Sequence, residues 1–217
     1  MLSLTPSVLI ERAIVLLVGM TIHEFAHAYI AYRMGDPTAK EQGRMTLNPT
    51  ANIYWPGFLI GVLIGIGILG SAPVNPSRMR NPRWGYFWAV LAGPVSNLLL
   101  AMVFAIPFWL GVLEPAFFPA SDFIPSVNSL FTQMIWLNII LFIFNLLPFW
   151  PLDGWTIVLA ALPARQAVWW ESQRQTTLIV GVALLALSWI NIGIDPLGWI
   201  ILEPSVFLLQ LLTTPLF

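Results

Sequence analysis

Two stretches of this chain, residues 84–113 and 130–162, are almost wholly apolar, and each exceeds the roughly 20 residues that cross a bilayer's hydrocarbon. No water is available there to pair backbone groups, so such stretches must be helical. Composition agrees: 58% of the 217 residues are hydrophobic and 9% are charged, against roughly a quarter charged in soluble domains. The expected fold class is an all-α integral membrane protein, a polytopic bundle of about five spans in a single membrane-embedded domain over 1–217. Its core covers residues 6–162 and C-terminal helices cover 172–213. The net charge of −1 argues against a nucleic-acid partner. Cysteine is absent, so disulfides and thiolate chemistry are excluded. MLSLTPSVLIER at the N-terminus lacks a basic n-region and a small-residue cleavage site, and reads as the start of a retained helix.

Further apolar runs lie at 6–32, 57–70, 175–194 and 197–213. The run at 57–70, GFLIGVLIGIGILG, is short for a span and suits a re-entrant or interfacial element. Its glycines 57, 61 and 65 have the small-xxx-small spacing of close helix packing. Basic residues supply an orientation. Arg33, Lys40 and Arg44 follow the first run, and Arg78, Arg80 and Arg83 precede the run at 84–113. Both groups are cytoplasmic by the positive-inside rule if 57–70 returns to the side it left. Arg165 and Arg174 then fall on that side too, with Glu114, Asp122 and Asp195 opposite.

The first run carries an anomaly. HEFAH at 23–27 holds both histidines of the chain, with Glu24 between them. Ionisable groups at membrane depth are costly and mark function. One helical turn separates His23 from His27 on the same face, so two imidazoles can share one metal ion. Glu24 is placed to take a proton from water activated there, which is the H-E-x-x-H zinc-hydrolase pattern. A catalytic zinc usually has three protein ligands and an open position. No third histidine exists, so the remaining ligand must be a carboxylate. Asp153 stands out, because it lies inside an apolar run, in NLLPFWPLDG, where Pro148 and Pro151 break the helix. Broken helices at membrane depth are tolerated where they line a cavity or pack within the protein.

HEFAH, then AGPVSN at 92–97, then NLLPFWPLDG at 145–154, in this order, resemble the site-2 protease family of intramembrane zinc metalloproteases, of the minimal type without an inserted PDZ domain. The resemblance covers residues 10–160. It implies a three-helix catalytic core, one Zn2+ per chain held by His23, His27 and Asp153, and Glu24 as catalytic base. It implies a site nearer the cytoplasmic face of the cell membrane in a multi-pass protein. It also implies re-entrant strands over 44–76, able to pair with an unwound substrate by β-addition. Asn145, which opens the last motif, is expected to contact substrate. Asn138 is expected to be structural, Asn97 to serve helix packing, Gly93 and Pro94 to shape close approach to the catalytic helix, and Trp150 and Trp155 to shield the site.

The expected function is intramembrane endoproteolysis of transmembrane helices, in regulated intramembrane proteolysis or in signal-peptide clearance. Partners would be a single-span membrane protein or signal-peptide substrate, the lipid bilayer, and a second copy in a homo-oligomer. Two rivals use the same residues. A zinc-binding transporter needs further polar ligands along a path, and almost none exist beyond the site. A catalytically silent helix-binding relative usually lacks the glutamate or a ligand, and here all four residues are present. A CAAX-type metalloprotease would want a glutamate ligand in a later helix, against which the PLDG element argues.

Overall fold

A computed structural model describes residues 4–65, 70–190 and 195–215. The described chain is helical: α1 Pro6–Arg33, α2 Thr38–Glu41, α3 Trp55–Ile64, α4 Pro82–Trp109, α5 Val127–Asn145, α6 Asp153–Ala161, α7 Ala164–Ser172, α8 Arg174–Ile190 and α9 Glu203–Thr213, the last preceded by a π-helical turn at Gly198–Leu202. Two of these, α4 and α5, are long and apolar enough to cross a membrane. The last residues of the expected span at 175–194, and residues 66–69 of the short run, lie outside the described residues.

Local chemistry explains where the long helices begin. Thr5, Asn81 and Ser126 each accept a backbone N–H of the first turn, at Val8, Trp84 and Ser129. Pro6 and Pro82 occupy the first helical position, where a missing N–H costs nothing. Ser126 and Ser129 close a reciprocal capping box. Small side chains set the spacing of the bundle. Gly19 of α1 lies against Asn138 of α5, Gly93 of α4 lies against His23 and His27 of α1, and Ala31 packs with Ala89, as expected where close packing, not water exclusion, holds helices together. At the far end, Ala101, Ala105 and Phe108 pack on Ile135 and Ile139 of α5 and on Leu209 and Leu212 of α9.

Hydrogen bonds fix the two ends of the bundle. Ser7 N–H donates to Asp122 O at 2.9 Å, joining the start of α1 to the loop before α5. At the opposite end, Arg80 N–H donates to Met34 O at 3.0 Å, and Asn75 N–H donates to the buried Asp36 carboxylate at 2.6 Å. Arg78 grips Glu41 in bidentate fashion at 2.5 and 2.8 Å and holds that carboxyl below its ordinary range. Residues 34–41 and 75–80 therefore share the end of the bundle at which α1 stops and α4 starts.

The strands expected over 44–76 are not formed among the described residues. A single antiparallel bridge joins Ile53 to Gly70, and the apolar segment is the helix α3. Pro56 presets its first turn, and a helix satisfies its own backbone where a lone strand edge would not. Gly57 and Gly61 are buried at a packing face, but Gly65 ends the helix with φ +90°. Arg12 of α1 completes that terminus by donating to the carbonyls of Val62 and Leu63 at 3.4 and 3.3 Å.

Candidate metal centre

The buried faces of α1, α4 and α6 meet at one point. His23 and His27 project from α1 as neighbours one turn apart, and their Nε2 atoms lie 2.9 Å from each other. Asp153 opens α6, and its Oδ2 lies 3.1 Å from His23 Nε2 and 3.3 Å from His27 Nε2. The turn over 146–152 delivers Asp153 to this depth. Leu152 lies just before the helix, and Gly154 lets α6 start against the carbonyls of Leu146 and Leu147, where a Cβ would collide. A carboxylate in the first turn of α6 also meets the positive end of the helix dipole.

The donor set itself shows that a cation fits. His27 Nδ1 lies 2.9 Å from Ala89 O, and a carbonyl only accepts, so Nδ1 carries the proton and Nε2 a lone pair. His23 Nδ1 lies 2.7 Å from Asn97 Oδ1, which assigns the same tautomer. The Asn97 amide is oriented by its nitrogen, which donates to Gly19 O at 3.2 Å and to Asn138 Oδ1 at 2.8 Å. Both Nε2 atoms and a carboxylate oxygen thus converge on one point, and with each Nδ1 proton engaged elsewhere all three atoms can ligate one cation. Asp153 Oδ2 is buried without a hydrogen-bond donor. Such a convergence of acceptors is repulsive unless a cation sits among them. Two nitrogens and one carboxylate oxygen suit zinc.

Glu24 lies beside this cluster, buried, with its Oε2 lacking a hydrogen-bond partner. A cavity of about 640 Å³ opens onto Glu24 and all three candidate ligands. One wall is the non-helical segment 70–74, which passes so close that a Cβ on Gly70 would sit 2.8 Å from Glu24 Oε1. The opposite wall is α8, through Leu178, Gly181, Val182 and Leu185. Asn145 borders the cavity and donates one N–H back to Leu141 O at 3.0 Å. Of the two tryptophans expected to shield the site, Trp150 borders the cavity, whereas Trp155 is buried behind it, with the Arg174 guanidinium 5.7 and 5.2 Å from the two rings.

Sequence reasoning placed Gly93 at a close approach to α1, as found, and missed what Asn97 touches. Asn97 touches a histidine of the cluster instead of merely packing helices, and Gly93 lies directly beneath both imidazoles, where a Cβ would overlap His27 and come within 2.7 Å of His23 Nε2. The signal was present in AGPVSN, a glycine and an asparagine one turn apart at membrane depth. Nothing in the sequence announced α8 as a cavity wall.

A helical bundle that focuses an H-E-x-x-H pair and a distant aspartate on one point belongs to the zinc metallopeptidases. The model of peptidase family M50 matches residues 111–188, a range that includes Asn145 and Asp153. The chain is 42% identical over 164 residues to YwhC of Bacillus subtilis, named as a zinc metalloprotease, covering 75% of this chain and 72% of that one. It is 32% identical over 149 residues to Rip2 of Mycolicibacterium smegmatis, named likewise, covering 64% of this chain and 52% of that protein. Rip2 of Mycobacterium tuberculosis is 37% identical over 94 residues, 40% of this chain and 35% of that one. No solved structure matches. The chain belongs to peptidase family M50, the site-2 protease family, and is a zinc metalloprotease.

Proposed function

We propose that this protein cleaves transmembrane helical segments inside the bilayer, with His23, His27 and Asp153 as zinc ligands and Glu24 as the proton-transfer group. The observation that carries the reading is the meeting of two imidazole Nε2 atoms and a carboxylate oxygen beside the buried Glu24, whose Oε2 has no hydrogen-bond partner, in a cavity within an apolar bundle. When bound, zinc supplies Lewis acidity, which activates water near neutral pH and polarises a carbonyl.

The chain's own residues do the rest. His23 and His27 present lone pairs because their Nδ1 protons are engaged elsewhere. Glu24 accepts a proton from the attacking water at its carboxylate and returns it to the leaving amide nitrogen, so the peptide and one water become a carboxylic acid and an amine. The second amide hydrogen of Asn145 is available to the substrate carbonyl. The cavity lining around the reacting groups is mostly apolar, which limits the water that reaches them.

A helical substrate hides its amides in its own hydrogen bonds, so cleavage requires local unwinding. The non-helical segment 70–75 beside Glu24 offers an unwound strand a backbone to pair with. The reading that the chain returns to the side it left between residues 41 and 75 is supported by the hydrogen bonds that hold residues 34–41 and 75–80 at one end of the bundle. The cytoplasmic placement of the site is supported by its depth. His27 and His23 lie six and ten residues before Arg33, about 9 and 15 Å along the helix, at the end rich in basic residues. A single-span protein or a leftover signal peptide meets these requirements.

Purified protein reconstituted in liposomes with a single-span substrate tests the reading. Wild type should give cleavage within the substrate's membrane segment, and Glu24→Gln should give none. Cleavage confined to the soluble portions of the substrate, or equal cleavage by Glu24→Gln, would refute it.

A further inference from the structure

The two histidines have unequal support. His27 is oriented by the backbone carbonyl of Ala89, which no side-chain change removes. His23 is oriented by a side chain, Asn97, whose amide would serve equally well as a donor if turned over. A donor facing His23 Nδ1 would move the imidazole proton to Nε2 and abolish that nitrogen as a ligand. The amide is held the other way by two acceptors, Gly19 O on α1 and Asn138 Oδ1 on α5. Asn138 is in turn oriented by its own donation to Met134 O at 2.8 Å. All three side chains are buried, with Asn97 and Asn138 wholly inaccessible. The approach is close enough that a Cβ on Gly19 would sit 2.8 Å from Asn138 Oδ1.

We infer that Asn97 and Asn138 are positioning residues for the metal, a directional relay from α5 through α4 that fixes the ligating tautomer of His23. Each link has one sense only. Met134 O accepts from Asn138 Nδ2, Asn138 Oδ1 accepts from Asn97 Nδ2, and Asn97 Oδ1 accepts from His23 Nδ1. The relay joins the helix that leads to Asp153 to the helix that carries the histidines, so both parts of the ligand set depend on how α5 seats. The proposal rests on the reading of His23 as a zinc ligand.

Zinc dissociation constants, measured by chelator competition on folded, purified protein, test it without reference to turnover. His23→Ala serves as the reference. Asn97→Leu should weaken zinc by about 10–100-fold, the range typical for partners that orient ligating histidines. Asn97→Asp keeps an acceptor against His23 Nδ1 but faces two carbonyl acceptors with its other oxygen. It should melt lower than wild type yet bind zinc within a few-fold of it. Asn138→Leu leaves Gly19 O as the sole guide and should weaken zinc by several-fold. If the asparagines only tie helices together, zinc affinity would follow the melting temperature, and Asn97→Asp would be among the weakest binders; that ordering overturns the relay. Should Asn97→Leu fail to assemble, the ordering of Asn97→Asp against Asn138→Leu carries the same decision. Loss of zinc in His23→Ala with wild-type affinity in Asn97→Leu also overturns the relay and leaves the site intact. Full zinc affinity in His23→Ala overturns the site itself.

Discussion

Glu24 and its neighbours separate metal binding from chemistry at the level of single side chains. Glu24 contacts none of the groups that set the histidine tautomers, so Glu24→Gln should keep zinc while lowering turnover at least about 100-fold, the usual scale for removing a proton-transfer group. Zinc stoichiometry together with single-turnover cleavage checks this. Equal loss of zinc and activity would make Glu24 a ligand. Gly93 makes the opposite case. A methyl group there overlaps the His27 ring, so Gly93→Ala should reduce zinc occupancy sharply although no ligand is replaced. The convergence of His23, His27 and Asp153 was foreseeable in the sequence because charge is expensive in hydrocarbon. Two histidines, a glutamate and an interior aspartate have few other reasons to be there. The contact of Asn97 with His23 was not legible, because a buried amide that ties helices together and one that touches a histidine look the same until its partners are known.

Among the helices, α6 matters most, because it carries Asp153 in its first turn, and the carbonyls of its last turn, like those of any helix, lack intrahelical N–H partners. Arg83 of α4 supplies the missing partner. Its Nε donates to Ala160 O at 2.9 Å, and its terminal nitrogen donates to Ala161 O. A cation at a helix C-terminus also complements the dipole. Arg83→Ala should cost about 1–2 kcal/mol and raise hydrogen exchange in α6 before the rest of the bundle. Unchanged exchange in α6 would show the contact to be incidental. At the other end of α6, a Cβ on Gly154 meets the carbonyls of Leu146 and Leu147, so Gly154→Ala should displace Asp153 and lower zinc occupancy as a ligand mutation does. The break before α6 was readable from Pro148 and Pro151. The helical nature of 55–64 was not, because a short apolar run with glycines fits a strand, a re-entrant turn or a helix equally well, and only its tertiary partners decide.

For the whole molecule, the proposed orientation rests on which segments share an end of the bundle. Residues 34–41 and 75–80 are hydrogen-bonded together, and Ser7 meets Asp122 at the other end. The absence of cysteine makes labelling simple. Lys40→Cys and Ser77→Cys should react with an impermeant maleimide from the cytoplasmic side only, and Ser121→Cys from the opposite side only. Labelling of positions 40 and 77 from opposite faces would mean that the intervening chain crosses the membrane. Charge asymmetry alone suggested this layout from the sequence, whereas the cavity wall contributed by α8 depends on how a late helix folds back, which no local pattern encodes.

The metal centre joins two segments more than a hundred residues apart, so its most exposed member is Asp153. Zinc per chain, measured by mass spectrometry on purified wild type and on Asp153→Ala, tests it directly. About one zinc in the wild type and a strong loss in the variant, with the fold retained, is the expected result. Full zinc retention in Asp153→Ala would remove the aspartate from the centre and with it the mechanism built on that ligand set.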